Sequence, residues 1–266
     1  MKKENKLNID EVMALAMTGM GTDQIRKMTL QDFDRLYDEN SDLEGYIDKA
    51  NKILDKQEAK GIKSLSVQDE DFPKRLLEIG KDCPTIIHIL GNTDLLKEGK
   101  AVAIIGARSA DKEGNSKAYE LGKKYSEEGY VVVSGLALGC DSAGHNGCLD
   151  AGGKTIAIVG SGLDIIHPKE NTALQKRILE NGGLILSEQP IGVKASPRTL
   201  VQRNRLQAAL SDTIILAQCP SESGSLHTMR FARKYKKKSL AFKYPKRNDA
   251  NAGNFDLIES GLASPV

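Results

Sequence analysis

The sequence predicts an α/β protein built on a doubly wound, mostly parallel sheet. Three observations carry that reading. Short apolar runs at Ala101–Ile105, Tyr130–Val133 and Thr155–Val159 are separated by helix-length segments, the mark of parallel strands buried on both faces. The first two run straight into Gly106–Ala107–Arg108–Ser109 and Ser134–Gly135 and the third into Gly160–Ser161–Gly162, turns at which a helix N-terminus can present free N–H groups to an anion. The alternation then continues to a strongly apolar run at Thr213–Ala217 and another at Ser239–Phe242.

Taken in order, residues 1–60 read as a small helical appendage and residues 61–266 as the main domain. Asp10 is placed to cap Val12–Leu15, which stops at Gly19–Gly21, and Thr29 opens a helix through Phe33 and Leu36. Leu43, Tyr46, Ile47, Ala50 and Leu54 recur at three- and four-residue spacing, so one face of that helix is expected to be buried. Ser64–Val67 and Ile86–Leu90 read as strands flanking a helix that starts at Asp71–Phe72–Pro73. After Thr155–Val159 come a helix with Leu174, Ile178 and Leu179, a short strand at Leu184–Leu186, and a polar loop from Gln189 to Leu200. A helix through Leu206, Ala209 and Leu210 leads into Thr213–Ala217.

Composition narrows the function classes. The chain has 266 residues, 39% hydrophobic and 28% charged, with a net charge of +2, so a nucleic-acid surface has to be a local patch. Its four cysteines (Cys83, Cys140, Cys148, Cys219) show no C-x-x-C spacing and its four histidines are scattered, so no zinc template appears. Isolated thiols without a signal-peptide pattern point to a reducing, cytoplasmic setting. No apolar run approaches the roughly 20 residues needed to span a bilayer.

The chemistry-bearing residues gather at the predicted carboxyl rim of the sheet. The turn at Gly106 lacks the G-x-G-x-x-G spacing, and no acidic residue ends the second strand to hold a ribose; a P-loop is absent as well. No cofactor is therefore expected. Arg108, Lys169, Arg203 and Arg205 are the cations expected near that rim, with Asn171 and Asn204 as neutral donors and Ser223–Gly224–Ser225 as a further small-residue turn. An arginine fork suits phosphate oxygens, while lysine acts as a point charge. Asp141, at a helix start, reads as a cap, and His145 as a packing residue, so binding is favoured over catalysis.

Several ordered segments give this pattern a family likeness. They are Val102–Arg108, Ser134–Asp141 with His145, Gly160–Asp164, His167–Asn171, Arg203–Asn204–Arg205 and Ser223–Leu226. The lead-in Asp69–Pro73 and the ending Gly253–Asn254, Leu257–Ile258 and Gly261 join them. From about residue 61 to 266 the chain resembles the DprA/Smf family of DNA-processing proteins. The resemblance implies an extended Rossmann domain that binds single-stranded DNA, helps load a RecA-type recombinase in transformation or recombination, and forms a homodimer. It implies DNA contacts by Arg108 and Lys169, a site extending over the small-residue turns and the Arg203–Arg205 segment, and no catalytic activity. It also implies a chain lacking the C-terminal winged-helix-like module of many members. Ala107 stands where the family usually has serine, and Leu200 where an aromatic is often found. A related group of nucleoside-monophosphate phosphoribohydrolases uses a proline–glycine–glycine loop followed by a glutamate. The stretch Ser223–Thr228 here has neither. Such an enzyme, or a nucleotide sensor, is the alternative.

Overall fold

The computed structural model describes residues 5–97 and 99–266. Four helices come first: α1 (Ile9–Met17), α2 (Thr22–Lys27), α3 (Leu30–Glu39) and α4 (Leu43–Glu58). Then follow β1 (Lys63–Ser66), α5 (Lys74–Leu77), β2 (Ile86–Gly91), β3 (Ala101–Ile105), α6 (Lys112–Glu127), β4 (Val131–Ser134), α7 (Cys140–Asp150) and β5 (Thr155–Val159). The second half contains α8 (Thr172–Glu180), β6 (Leu184–Ser187), α9 (Pro197–Ala209), β7 (Thr213–Leu216), α10 (Ser225–Lys234), β8 (Lys238–Ala241), α11 (Ala252–Glu259) and β9 (Ser264–Pro265).

The strands form one sheet in the order β1-β2-β6-β5-β4-β3-β7-β8-β9. From β6 to β9 every neighbour pair is parallel, whereas β2 runs antiparallel to both β1 and β6. The parallel part of the sheet starts in the middle at β3, winds outward through β4, β5 and β6, then returns to β7 on the other flank of β3. The winding direction therefore reverses between β3 and β7, and it is there that an open α/β sheet leaves a crevice at its carboxyl edge.

Period-two burial explains why this sheet is covered on both sides. Val102 and Ile104 of β3, with Ile215 of β7, pack with Ala118 and Leu121 of α6 and Cys148 of α7. Ala103, Ile105, Ile214 and Leu216 point the other way, into a cluster with Leu206 and Ala209 of α9 and Met229 and Ala232 of α10. That second cluster also takes in Val12, Leu15, Ile25, Phe33, Leu43 and Ala50 of the first four helices. Thr29 caps α3 as the sequence predicts, accepting from Asp32 N at 3.2 Å, but α1 starts two residues earlier than expected, with Asn8 rather than Asp10 at its N-cap. Asn8 wins because Glu11 closes back onto its N–H at 2.6 Å.

A buried polar knot joins the helical region to the sheet. Gln57 of α4 donates to Ser64 Oγ at 2.7 Å and lies 3.0 Å from His88 Nδ1, and its Oε1 accepts from Ile191 N at 3.1 Å. Burial pushes the His88 pKa down to about 4. All four cysteines are buried and free. Among the described residues no helix is long and apolar enough to cross a membrane.

Candidate nucleic-acid interface

Three loops meet at the reversal point between β3 and β7. The first, Gly106–Ser109, leaves β3; the second, Gly135–Gly139, leaves β4; the third, Gln218–Gly224, leaves β7. They are stitched together by backbone bonds, Ala107 N to Gln218 O at 2.8 Å and Cys140 N to Ala107 O at 3.2 Å. Such close approach requires glycine at 106, where a Cβ would run into Cys140 Sγ and lie 2.7 Å from Gln218 O. The glycine that starts this loop is thus a packing demand.

Helix α9 forms the remaining wall. Ser196 caps it, accepting from Thr199 N at 3.2 Å, and Pro197 follows at the first helical position. Leu200, Arg203, Asn204 and Gln207 then recur at helical spacing, and all four line the cleft. The cleft has two adjoining chambers of about 440 and 480 Å³, with Arg108, Ala137, Leu200 and Arg203 common to both. Ser109, Asn204, Ser223, Gly224 and Ser225 line the first chamber, Gly135 and Lys169 the second.

The two outer cations differ in kind from the inner one. Arg108 and Lys169 are exposed, and neither side chain has a hydrogen-bond or ion-pair partner among the described residues. Arg203 is only 6% exposed and faces Asp141, itself 5% exposed, with Nη2 3.5 Å from Oδ2. Burial pushes the Asp141 carboxyl up despite the adjacent guanidinium, and burial likewise lowers Arg203, with the charge of Arg108 adding to that effect. Glu222 on the first chamber and Glu170 on the second bring negative charge to the rim.

Asp141 is not the helix cap that its position suggests. Its Oδ2 instead reaches back to the loop before α7, accepting from Gly135 N at 3.1 Å and Ala137 N at 3.4 Å. Arg203 Nη2 donates to Gly135 O at 3.3 Å, and a Cβ at 135 would overlap the guanidinium. His145 is fully buried, with Nδ1 2.7 Å from Thr155 Oγ1 and a pKa pushed down to about 3 by burial. It is a core residue, as its sequence position implies.

Five of the residues expected at the rim lie elsewhere. Arg205 points away from the cleft: its Nη1 and Nη2 pair with Glu188 at 2.7 and 2.5 Å, and its Nε donates to Asp82 O at 2.7 Å. Two arginines at i and i+2 on a helix cannot share a face, and Arg203 holds the cleft side. Ser134 is buried and donates to Ile104 O at 2.6 Å, tying β4 to β3. Asn171 is 7% exposed and holds Leu136 O at 2.8 Å. Gly160 and Gly162 lie beneath α9 and the Pro190–Ile191 turn, where a Cβ would meet Leu200 N at 3.2 Å and Ile191 Cα at 2.8 Å respectively. Leu138, Val201 and Gln207 line the cleft without having been expected there. The three- and four-residue recurrence from Leu200 to Gln207 was the available signal for the last.

Comparison with known proteins gives a consistent result. The family model for DNA recombination-mediator protein A matches residues 63–266. The DNA processing protein DprA of Streptococcus pneumoniae is 38% identical over 198 residues, covering 74% of this chain and 69% of that protein. Protein Smf of Synechocystis is 33% identical over 215 residues, 79% of this chain and 53% of its own length. The chain thus spans between half and about two thirds of these curated relatives. An X-ray structure of the S. pneumoniae DprA superposes with a TM-score of 0.79 at 31% identity, covering 98% of this chain and 95% of that one. DNA processing protein A from Helicobacter pylori, described for its single-stranded DNA binding mode, superposes with a TM-score of 0.69 at 34% identity over 77% and 90% of the two chains.

Proposed function

Because the chain belongs to the DNA recombination-mediator protein A family, we propose that its cleft binds single-stranded DNA in DNA processing for transformation or recombination. The observation that carries this reading is the pair of exposed, unpartnered cations, Arg108 and Lys169, at the reversal point of the sheet. Two free cations beside small-residue turns suit a polyanionic backbone, and a groove of this kind tracks phosphates without reading sequence. Ser109, Asn204, Ser223 and Ser225 add neutral donors along the same path.

The proposed role is binding and protection of the strand rather than turnover. Asp141, the carboxylate inside the cleft wall, is committed to Arg203 and to two loop amides, and so is poorly placed to move a proton. The reading extends to a RecA-type recombinase as protein partner, to a homodimer that aligns two clefts along one strand, and to a cytoplasmic setting, all as the family likeness implies. Fluorescence anisotropy of a labelled oligo-dT, with duplex DNA and a mononucleotide as competitors, tests it. Salt-sensitive binding that neither competitor displaces supports the reading. Displacement by the mononucleotide at comparable concentration would move the protein to the nucleotide-sensor class.

A further inference from the structure

Between Leu43 and Lys60, helix α4 and the turn that ends it carry four acidic residues and four lysines, a balance that hides any charged surface in the sequence. The fold separates the two signs. Leu43, Ala50 and Gln57 bury one face of the helix. Lys49, Lys52, Lys56 and Lys60 fall on one flank of that face, within an arc of about 80° at roughly 100° per residue. Glu44, Asp48, Asp55 and Glu58 fall on the other flank. All eight are exposed, and among the described residues none of the four lysine side chains has a hydrogen-bond or ion-pair partner. Lys49 lies over the Tyr46 ring at 5.1 Å, which leaves Lys52, Lys56 and Lys60 as the free row.

The lysine flank adjoins the loops that lead into the cleft. Ile53, Lys56 and Lys60 line one side of a cavity of about 530 Å³, with Asp164, Ile191 and Gly192 on the other. Ile191 N donates to Gln57 Oε1 at 3.1 Å, which fixes the helix against these loops. The Asp164 carboxylate is already engaged, its two oxygens accepting from Gly192 N at 2.9 and 3.1 Å. Three residues beyond Asp164, His167 lines the chamber that holds Arg108 and Lys169, and three residues of chain reach at most about 11 Å.

We infer that Lys52, Lys56 and Lys60 form an accessory backbone track outside the cleft, taking phosphates of a strand after it leaves the chamber of Arg108 and Lys169. The inference rests on the single-strand reading above. Lysines four residues apart along a helix make a row of point charges about 12 Å long, which suits successive phosphates and asks nothing of base sequence. Continuity with the chamber favours the strand over an acidic protein segment, because a strand already held at Lys169 meets the row at high effective concentration. The helical region thereby gains a role that its zero net charge conceals.

The test measures the salt dependence of binding to oligo-dT of about 5 and about 16 nucleotides, lengths near the two ends of what one single-strand-binding fold covers. It compares the unchanged protein with a triple variant, Lys52→Gln, Lys56→Gln and Lys60→Gln, and with the same three positions changed to arginine. The glutamine variant should bind the longer strand more weakly and lower its slope of log K against log salt by about 2, three single-strand contacts at about 0.7 each. It should bind the shorter strand as the unchanged protein does, and the arginine variant should keep the full slope on the longer one. An unchanged slope on the longer strand, or equal weakening of both lengths as a mere loss of net charge would give, would overturn the track while leaving the cleft reading intact. No binding of either length by the unchanged protein would overturn that reading itself, and the track with it.

Discussion

Asp141 and Arg203 face each other at 3.5 Å inside the cleft wall, and each is more than nine-tenths buried. Two charges withdrawn from water together recover their desolvation cost only with good partners. Here the carboxylate has two loop amides and the guanidinium a loop carbonyl. The pair therefore acts as a brace on the loop Gly135–Gly139, and through it on the cleft.

Removing one member leaves the other charge buried alone. Asp141→Ala should destabilise the fold by about 3 to 5 kcal/mol, read as a lower urea midpoint. Combining it with Arg203→Met should recover much of that loss, because the double variant strands no charge. Equal, additive losses would show that the two side chains do not act as a pair.

Arg205 is an anchor, so its removal should harm stability and not strand binding. Losing its bidentate contact to Glu188 and its bond to Asp82 O should cost about 2 kcal/mol. The salt dependence of DNA affinity measured on Arg205→Ala should match the unchanged protein. A flattened salt slope would return Arg205 to the site.

Sequence spacing located this architecture well, because buried parallel strands leave uninterrupted apolar runs: Ala101–Ile105 and Thr155–Val159 coincide with β3 and β5 to the residue. The site was legible only in outline. Gly106, Arg108, Lys169 and Ser223–Ser225 follow strand ends, and the sheet brings them to one rim. Arg203 and Arg205 look equivalent in the chain, and only the rotation of α9 separates a cleft wall from an anchor. Asp141 reads as a cap in isolation because its true partners, Gly135 N and Arg203, are set by the loop and by a helix 62 residues away.

Two glycines should respond oppositely to the same change. Gly122 of α6 sits against Gly144 of α7, where a Cβ would overlap the Gly144 carbonyl, so Gly122→Ala should destabilise by about 1 to 3 kcal/mol. Gly45 of α4 has open space around it, and Gly45→Ala should stabilise by roughly 0.5 to 1 kcal/mol through helix propensity. Thermal melts of the two variants check the signs.

The buried histidines set an acid limit. Burial holds His88 near a pKa of about 4 and His145 near about 3, below the ordinary value of 6.5. Between those values the unfolded chain binds more protons than the folded one, so stability falls as pH drops from about 6.5 through 4. For His88 the full effect is bounded at about 3 kcal/mol. Asp141, raised by burial, works in the opposite direction at the acid end. Melting temperatures of His88→Gln should depend less steeply on pH between 6.5 and 4, and an unchanged pH profile would show that His88 does not contribute.

The most direct measurement is the salt dependence of oligo-dT affinity for the unchanged protein, Arg108→Ala and Lys169→Ala. Each variant should bind more weakly and lower the slope of log K against log salt by about 0.7, the contribution of one phosphate contact to a single strand, with unaltered melting temperature. Affinities and slopes identical to those of the unchanged protein would contradict the account, because they would take both free cations out of the interface.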